Sequence, residues 1–197
     1  MSQRAIERAA RRWRGFTIVE LIVIMVVVGV MGALAAPRFF ARAGFDARAF
    51  ADQTRAQLRY AQKLAIAQNR PVWVRLNGAS IALCFDNACT SPVFAPAGNN
   101  SASDATLAAC GNSRTWYCEA LPSGVGYAAF NLGTAFYFDA LGKPFAVADV
   151  QPTLVSTFAP RVYDGASGAN LAVTKLVLSG DGASFTVAVE PDTGYVH

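Results

Sequence analysis

Hydrophobic positions divide the chain into parts that differ in their spacing. Residues 16–36 are almost continuously apolar, with Thr17 and Glu20 as the distinctly polar positions. Residues 37–69 carry apolar or small side chains at steps of three and four, which is one face of an amphipathic helix. Residues 70–197 contain short apolar runs separated by turn residues, which is typical of β-strands. Together with residues 1–15, these parts predict an α+β chain of four segments.

The apolar run is long enough to cross a membrane as a helix. Phe16 to Ala36 is 21 residues, and a helix that rises about 1.5 Å per residue spans a hydrocarbon core of about 30 Å over that length. Basic residues before a span stay on the cytoplasmic side, so we expect residues 37–197 to lie across the membrane. That basic leader, residues 1–15, contains Arg4, Arg8, Arg11, Arg12 and Arg14.

Glu20 does not fit an apolar helix on solvation grounds. A carboxylate in lipid costs a few kcal/mol and is read as functional, and no basic residue occurs between Phe16 and Ala36. If the chain is cut after Gly15, Phe16 carries a free α-amino group that is charged at neutral pH. Phe16 and Glu20 are four residues apart and share a helix face, so this amine is the candidate partner, within one subunit or between neighbours.

The segment Gly-Phe-Thr-Ile-Val-Glu at residues 15–20, behind a basic leader, resembles the prepilin signature of type IV pilins and type II secretion pseudopilins. The resemblance implies that a prepilin peptidase cleaves between Gly15 and Phe16 and N-methylates Phe16. It also implies that Glu20 registers incoming subunits during assembly. Pro37 matches a proline of the family helix, where we expect a kink.

Two later motifs resemble the GspH/FimT branch of pilin-like proteins, and within it the MshC minor pilin of mannose-sensitive haemagglutinin pili. They are the turn at residues 138–144 and the closing segment at residues 192–196. The resemblance implies a pilin-like lollipop, with a long N-terminal helix packed on an antiparallel β domain. It implies a minor pilin or pseudopilin that joins, initiates or caps a pilus or pseudopilus. Its partners would be other subunits, the prepilin peptidase and an inner-membrane assembly platform, and its C-terminal domain would be periplasmic.

The helix is expected to continue beyond Pro37 as its amphipathic half, giving one helix of about fifty residues with Gly44 as a weak point. Its apolar stripe is Phe40, Ala43, Ala47, Phe50, Thr54, Leu58, Ala61 and Ala65. Asn69-Arg70-Pro71 should end it. Strands are predicted at 72–76, 80–85, 116–121, 125–129, 135–138, 172–178 and 184–189, and residues 95–113 are predicted to be an exposed loop.

The four cysteines favour disulfides. Cys84 and Cys89 are close in sequence, as are Cys110 and Cys118, and local pairing within each couple is preferred among the three arrangements that four cysteines allow. Disulfides are expected on the periplasmic side of the membrane. A zinc site is disfavoured because neither spacing is Cys-x-x-Cys and the one histidine is His197.

Charge and composition argue against an enzyme and against nucleic acid. The formal net charge is +4, but the leader holds five Arg and one Glu, so residues 16–197 carry 12 basic and 12 acidic side chains. A neutral mature chain has no bulk attraction to nucleic acid. With a single histidine at residue 197, a Ser-His-Asp triad is disfavoured. We therefore expect no catalytic residues, no cofactor and no metal.

Several alternatives remain open from the sequence. Residues 33–35 have an A-x-A-like pattern that would suit an ordinary secretory signal, and a plain membrane anchor would explain the apolar run without Glu20. Within the pilin-like group, the chain could serve a type II secretion system, or could bind DNA during uptake. The DNA-binding reading calls for a basic tail, and residues 192–197 contain no Arg or Lys. A tip adhesin would place its ligand at residues 95–113.

Overall fold

The computed structural model describes residues 17–40, 42–130, 133–149, 156–158, 162–163, 170–171 and 175–197. The chain separates into two compact units, Met1–Ala41 and Arg42–His197. The first unit contributes one described helix, and the second contains a long helix and the described strands. This is an α+β fold with antiparallel strand pairing throughout the described sheets.

Helix α1 spans Ile18–Phe40 and begins at the polar end of the apolar run. Its large apolar side chains between Ile18 and Met31 are 47–80% exposed. The helix passes through Pro37, so the predicted kink at that residue stays a prediction. Among the described residues, no helix combines the length and the apolarity that a membrane crossing requires.

Helix α2 spans Ala43–Gln68 and ends where the sequence indicated. Asn69 takes the left-handed conformation, with φ 49°, and the N–H of Arg70 donates to the carbonyl of Ala65 at 3.2 Å. Such an αL residue satisfies the last carbonyls of the helix, and Pro71 prevents its continuation. Most of the predicted stripe is buried, namely Ala47, Phe50, Thr54, Leu58, Ala61 and Ala65.

The prediction of one continuous helix is wrong at Arg42, which lies outside both α1 and α2. The physical reason is a competing hydrogen bond beside the glycine that the sequence marked as weak. The N–H of Gly44 donates to the carboxylate of Asp181 at 3.1 Å, so a side chain from the β domain caps the start of α2. Glycine has a low helix propensity, which makes the interruption inexpensive there.

The strands of the second unit form two main sheets. A five-stranded sheet has the order β3-β2-β1-β5-β6, a three-stranded sheet has the order β10-β9-β4, and β7 pairs with β8. Their bounds are β1 Val72–Leu76, β2 Ser80–Cys84, β3 Cys118–Ala120, β4 Gly126–Phe130, β5 Ala135–Phe138, β6 Pro144–Ala146, β7 Val162–Tyr163, β8 Asn170–Leu171, β9 Lys175–Gly180 and β10 Ala183–Ala188.

Helix α2 packs against both main sheets, and the core lies between them. It contacts β1 and β5 of the larger sheet and β9 and β10 of the smaller one. Leu58 of the helix, Val74 and Phe136 of the larger sheet and Leu178 of the smaller sheet share one buried cluster. Fully burying a side chain of this size contributes about 1.5–3 kcal/mol, so each of these four side chains stabilises the second unit by about that amount.

Two parts of the strand prediction need correction. Residues 95–113 are not a loop throughout, because they contain the short helix α3, Asp104–Ala109, whose N-cap is the hydroxyl of Ser103. The strand predicted at 116–121 is shorter, because the N–H of Cys118 turns back to the carbonyl of Trp116. The strands predicted at 172–178 and 184–189 are confirmed as a hairpin of Lys175–Gly180 and Ala183–Ala188, with a tighter turn than expected, and residues 172–174 lie outside the described residues.

Candidate functional site

The start of α1 is capped by the first polar residue of the segment at residues 15–20. The N–H of Glu20 donates to Oγ1 of Thr17 at 3.2 Å, which places Thr17 at the N-cap and Glu20 at the third helical position. Thr-x-x-Glu is the spacing of a capping box, a second role of this segment that was not predicted above. The signal was visible in residues 17–20.

Glu20 is exposed, and its carboxylate makes no hydrogen bond or ion pair within the described residues. A carboxylate in the first helical turn is favoured by the helix dipole. Gly15 and Phe16 lie outside the described residues, so the cleavage between them and the contact from Phe16 to Glu20 stay predictions. The structure thus places the acid at a helix start whose apolar neighbours are all exposed, and leaves it free for a partner.

The first of the two later motifs is a turn closed by an aspartate. Oδ1 of Asp139 accepts from the N–H groups of Leu141, at 2.9 Å, and Lys143, at 2.8 Å. Gly142 between them has φ +80°, a conformation that glycine adopts without strain. The turn predicted at residues 138–144 is therefore confirmed.

The second motif lies directly on the first. Gly194, with φ +70°, packs against the carbonyl oxygen of Gly142. Nε2 of Gln62 donates to the carbonyl oxygens of Gly142, at 3.0 Å, and Thr193, at 2.9 Å. One side chain of α2 therefore holds both motifs, although they are far apart in sequence.

Further polar side chains of α2 hold the C-terminal strands by the same chemistry. Arg59 donates through Nε and Nη2 to the carbonyl of Val196 at 3.0 and 2.9 Å. Arg55 donates to the carbonyl of Thr186. These bonds hold β10 and the closing segment against the helix. The periodicity of the sequence did not predict them, because Arg55 and Arg59 lie off the predicted apolar stripe.

The cysteines pair locally, Cys84 with Cys89 and Cys110 with Cys118, which is the arrangement the sequence favoured. The first pair closes a loop in which the carboxylate of Asp86 accepts from the N–H groups of Thr90 and Ser91. The hydrogen bond from the Thr90 backbone is the main reason that the pKa of Asp86 lies below its usual value. The second pair links the end of α3 to β3.

A buried carboxylate secures the segment before α3. Glu119 is 4% exposed, and it accepts from the N–H of Ser101 at 2.8 Å and from the hydroxyl of Thr106 at 3.3 Å. Oγ1 of Thr106 also accepts from the N–H of Ala120 at 3.2 Å. These bonds satisfy the buried acid without a cation, so residues 101–106 are pinned to the edge of the larger sheet.

Between the two disulfide-closed loops lies an open cleft of about 330 Å³. It is lined by Arg75, Asn77, Ser80, Ala82, Ala88, Cys89, Ala109 and Trp116. In the part of the chain that the structure describes, no group of three or more His, Cys, Asp or Glu side chains could hold a metal ion. His197 contacts Glu190 at 3.1 Å on an exposed surface.

Both a family model and a known protein match this chain. Residues 11–36 match the model of the prokaryotic N-terminal methylation motif. Over 109 residues the chain is 31% identical to the type IV narrow pilus major component PilA5 of Thermus thermophilus. The matched stretch covers 55% of this chain and 81% of PilA5.

Among solved structures, the chain is similar to two crystal forms of the type IV minor pilin FimU from Pseudomonas aeruginosa. Both are 12% identical and cover 76% of this chain, with TM-scores of 0.43 and 0.42 over 85% and 90% of FimU. A likeness of this size carries no functional argument. None of these matches distinguishes the GspH/FimT branch or the MshC minor pilin, so that finer resemblance stays a prediction. The methylation motif and the match across most of PilA5 show that this chain belongs to the type IV pilins.

Proposed function

We propose that this protein is a minor pilin that joins, initiates or caps a pilus or pseudopilus after its leader is removed. The observation that carries the proposal is the methylation-motif match over residues 11–36, which includes the Gly15–Phe16 junction and Glu20. A prepilin peptidase would cleave between Gly15 and Phe16 and methylate the new N-terminus. The role is structural and non-enzymatic, as it is for the pilus component PilA5.

The surface of α1 supports a role in assembly. Its large apolar side chains from Ile18 to Met31 are exposed, and burying apolar surface yields about 25 cal/mol per Å². Neighbouring subunits would cover this surface in a filament, and the free carboxylate of Glu20 would pair there with the α-amino group of a neighbour's Phe16. The partners are therefore other pilin subunits, delivered by an inner-membrane assembly platform.

Before assembly, we propose a single-pass inner-membrane protein with its C-terminal domain in the periplasm. The apolar residues 16–36 would anchor it, and the basic leader would stay cytoplasmic until cleavage. Two disulfides in the C-terminal domain suit an oxidising compartment. The anchoring part of the proposal rests on the sequence and on the family match.

Mass spectrometry of the mature protein tests the proposal. We expect a chain that begins with N-methylated Phe16, and an uncleaved chain when Gly15→Val replaces the small residue at the junction. Gly29→Val is the matched control, because a side chain at that position of α1 meets no atom within 4 Å, and it should be cleaved normally. A mature N-terminus at Ala36 or Pro37 would instead establish an ordinary secretory signal.

The same processing would serve a type II secretion pseudopilin or a DNA-binding minor pilin. Subunits that co-purify with the mature protein separate a pilus from a secretion system. A gel-shift assay with duplex DNA tests whether the protein is a DNA-binding minor pilin. The balanced charge of residues 16–197 argues against DNA binding.

A further inference from the structure

The cleft between the disulfide loops lies on the face of the larger sheet that is turned away from α2. Val74, Ile81 and Leu83 point into the core that the helix shares, and side chains alternate along a strand. Arg75 of β1 and Ala82 of β2 therefore face the other way, into the cleft. Its walls come from the Cys84–Cys89 loop, from the end of α3 and from Trp116.

The walls of this cleft are held in place by covalent and hydrogen bonds. The indole Nε1 of Trp116 donates to the carbonyl of Leu83 at 2.8 Å. Oδ1 of Asn77 accepts from the N–H of Ser80 at 2.6 Å. Cys89 stands in the left-handed region, with φ +56°, inside a disulfide-closed loop. A site whose walls are fixed in this way loses little entropy when a ligand binds.

Arg75 supplies a cation to the cleft without a counter-ion. Its Nη1 donates to the carbonyl of Asn87 at 2.6 Å, and no carboxylate lies within ion-pair distance of it in the described residues. Asp86, on the adjoining loop, directs its carboxylate to the N–H groups of Thr90 and Ser91 instead. The remaining guanidinium donors are suited to a carboxylate, which they bind in a planar, two-point geometry.

We propose that this cleft binds a carboxylate-bearing saccharide, with the carboxylate on Arg75 and the sugar ring against Trp116. The cleft offers donors from Arg75 and from the side-chain amide of Asn77, and an apolar surface from alanines and the indole. A sugar presents hydroxyl groups at its edge and C–H groups on its faces, which matches this division. The volume of about 330 Å³ is in the range of small-molecule sites. This binding activity goes beyond assembly and does not depend on leader cleavage.

The test is a titration of the full-length mature protein in detergent micelles, followed by NMR of the Trp116 indole N–H and the Arg75 Nε–H. The probes are sodium D-glucuronate, D-glucose and sodium acetate. We expect saturable shifts with glucuronate. Glucose, which lacks the carboxylate, and acetate, which lacks the ring, should each bind at least about tenfold more weakly.

Substitutions then locate the site. Arg75→Lys keeps the charge but loses the planar fork, so we expect glucuronate to bind about tenfold more weakly, and Arg75→Gln should abolish saturation. Arg48→Gln, an exposed change on α2, is the control and should bind as the wild type does.

Several outcomes would overturn the proposal. The first is that glucuronate causes no saturable shifts. The second is that glucose or acetate binds as tightly as glucuronate does. The third is that the Arg75→Gln protein binds glucuronate like the wild type. If Arg75→Gln fails to fold, the comparison of the three probes on the wild-type protein still decides.

Discussion

Gly194 packs so closely on the main-chain carbonyl oxygen of Gly142 that a methyl group at position 194 would overlap it. The two glycines belong to the two short motifs that the sequence singled out near residues 138–144 and 192–196. Nε2 of Gln62 reaches both, through the carbonyls of Gly142 and Thr193. The motifs are therefore two sides of one contact, which docks the end of the chain on α2 and on the β5–β6 turn.

Gly194→Ala should destabilise the second unit strongly. The new methyl group overlaps the Gly142 carbonyl, and a side chain at φ +70° adds strain of about 1–3 kcal/mol. Gly78→Ala is the control, since its φ is +81° but nothing lies within 4 Å of the added carbon. Denaturant unfolding should show a larger loss for Gly194→Ala; equal losses would mean that the contact relaxes at no cost.

Gln62→Leu should lower the free energy of unfolding by about 0.5–1.5 kcal/mol for each of the two hydrogen bonds lost, because the bond to Gly142 is part-buried and the bond to Thr193 is exposed. Leucine keeps a side chain of comparable volume at this position, so the change removes chiefly the two hydrogen bonds. Gln68→Leu, at the exposed end of α2, is the control and should change stability by less than about 0.5 kcal/mol. Unfolding monitored by near-UV circular dichroism measures both. A Gln62→Leu protein as stable as the control would show that water replaces the amide.

Non-reducing peptide mapping should recover Cys84 linked to Cys89 and Cys110 linked to Cys118. By the chain-entropy model, short closed loops of this kind each stabilise by up to about 3 kcal/mol. The double change Cys110→Ala and Cys118→Ala should release the end of α3 from β3 and lower the unfolding midpoint, with the Cys84–Cys89 link intact as an internal control. Free thiols in periplasmic material, or a link between Cys84 and Cys118, would contradict this pairing.

Burial raises the pKa of Tyr127 to about 12, and its hydroxyl has no hydrogen-bond partner in the described residues. The tyrosine ionises near pH 10 in the unfolded chain, so its contribution to stability is complete below pH 10 and is lost as the pH rises toward 12. In an absorbance titration at 295 nm, the difference between the wild type and Tyr127→Phe should have its midpoint near 12. A midpoint near 10 would show a solvated hydroxyl.

The same substitution has a consequence at neutral pH. Tyr127→Phe removes a buried hydroxyl that has lost water without gaining a partner, so the free energy of unfolding should stay equal or rise. Tyr195→Phe, at an exposed side chain, is the comparison.

Glu20→Ala should be inserted, cleaved and folded, yet fail to enter filaments. Removing one partner of a buried ion pair costs about 3–5 kcal/mol, because the other charge is left uncompensated. Glu20→Gln separates charge from helix capping, because the N–H that donates to Thr17 is unchanged, and it should fail as well. Glu20→Asp should be intermediate. Co-purification with other pilin subunits and a count of filaments measure the effect; normal assembly of Glu20→Gln would remove Glu20 from subunit registration.

The sequence by itself determined the elements whose signals are local. The apolar run, the stripe of α2, its end at Asn69 and the strands β1 and β2 all follow from spacing and turn residues within a short stretch of chain. The Gly15–Glu20 segment likewise identified the family. Such features need no knowledge of the rest of the chain, because the interactions that produce them lie within one or two turns.

The tertiary structure decided what depends on distant partners. The break before α2 arises because Asp181 takes the N–H of Gly44, and periodicity cannot foresee an acceptor from another part of the chain. Neither Gln62 nor Arg59 belongs to the predicted apolar stripe of α2, yet both bind carbonyls that folding brings to the helix. The cleft around Arg75 forms where two sheet strands, a short helix and two disulfide loops meet. It could not be predicted from the sequence, because such long-range contacts leave no local sequence signal.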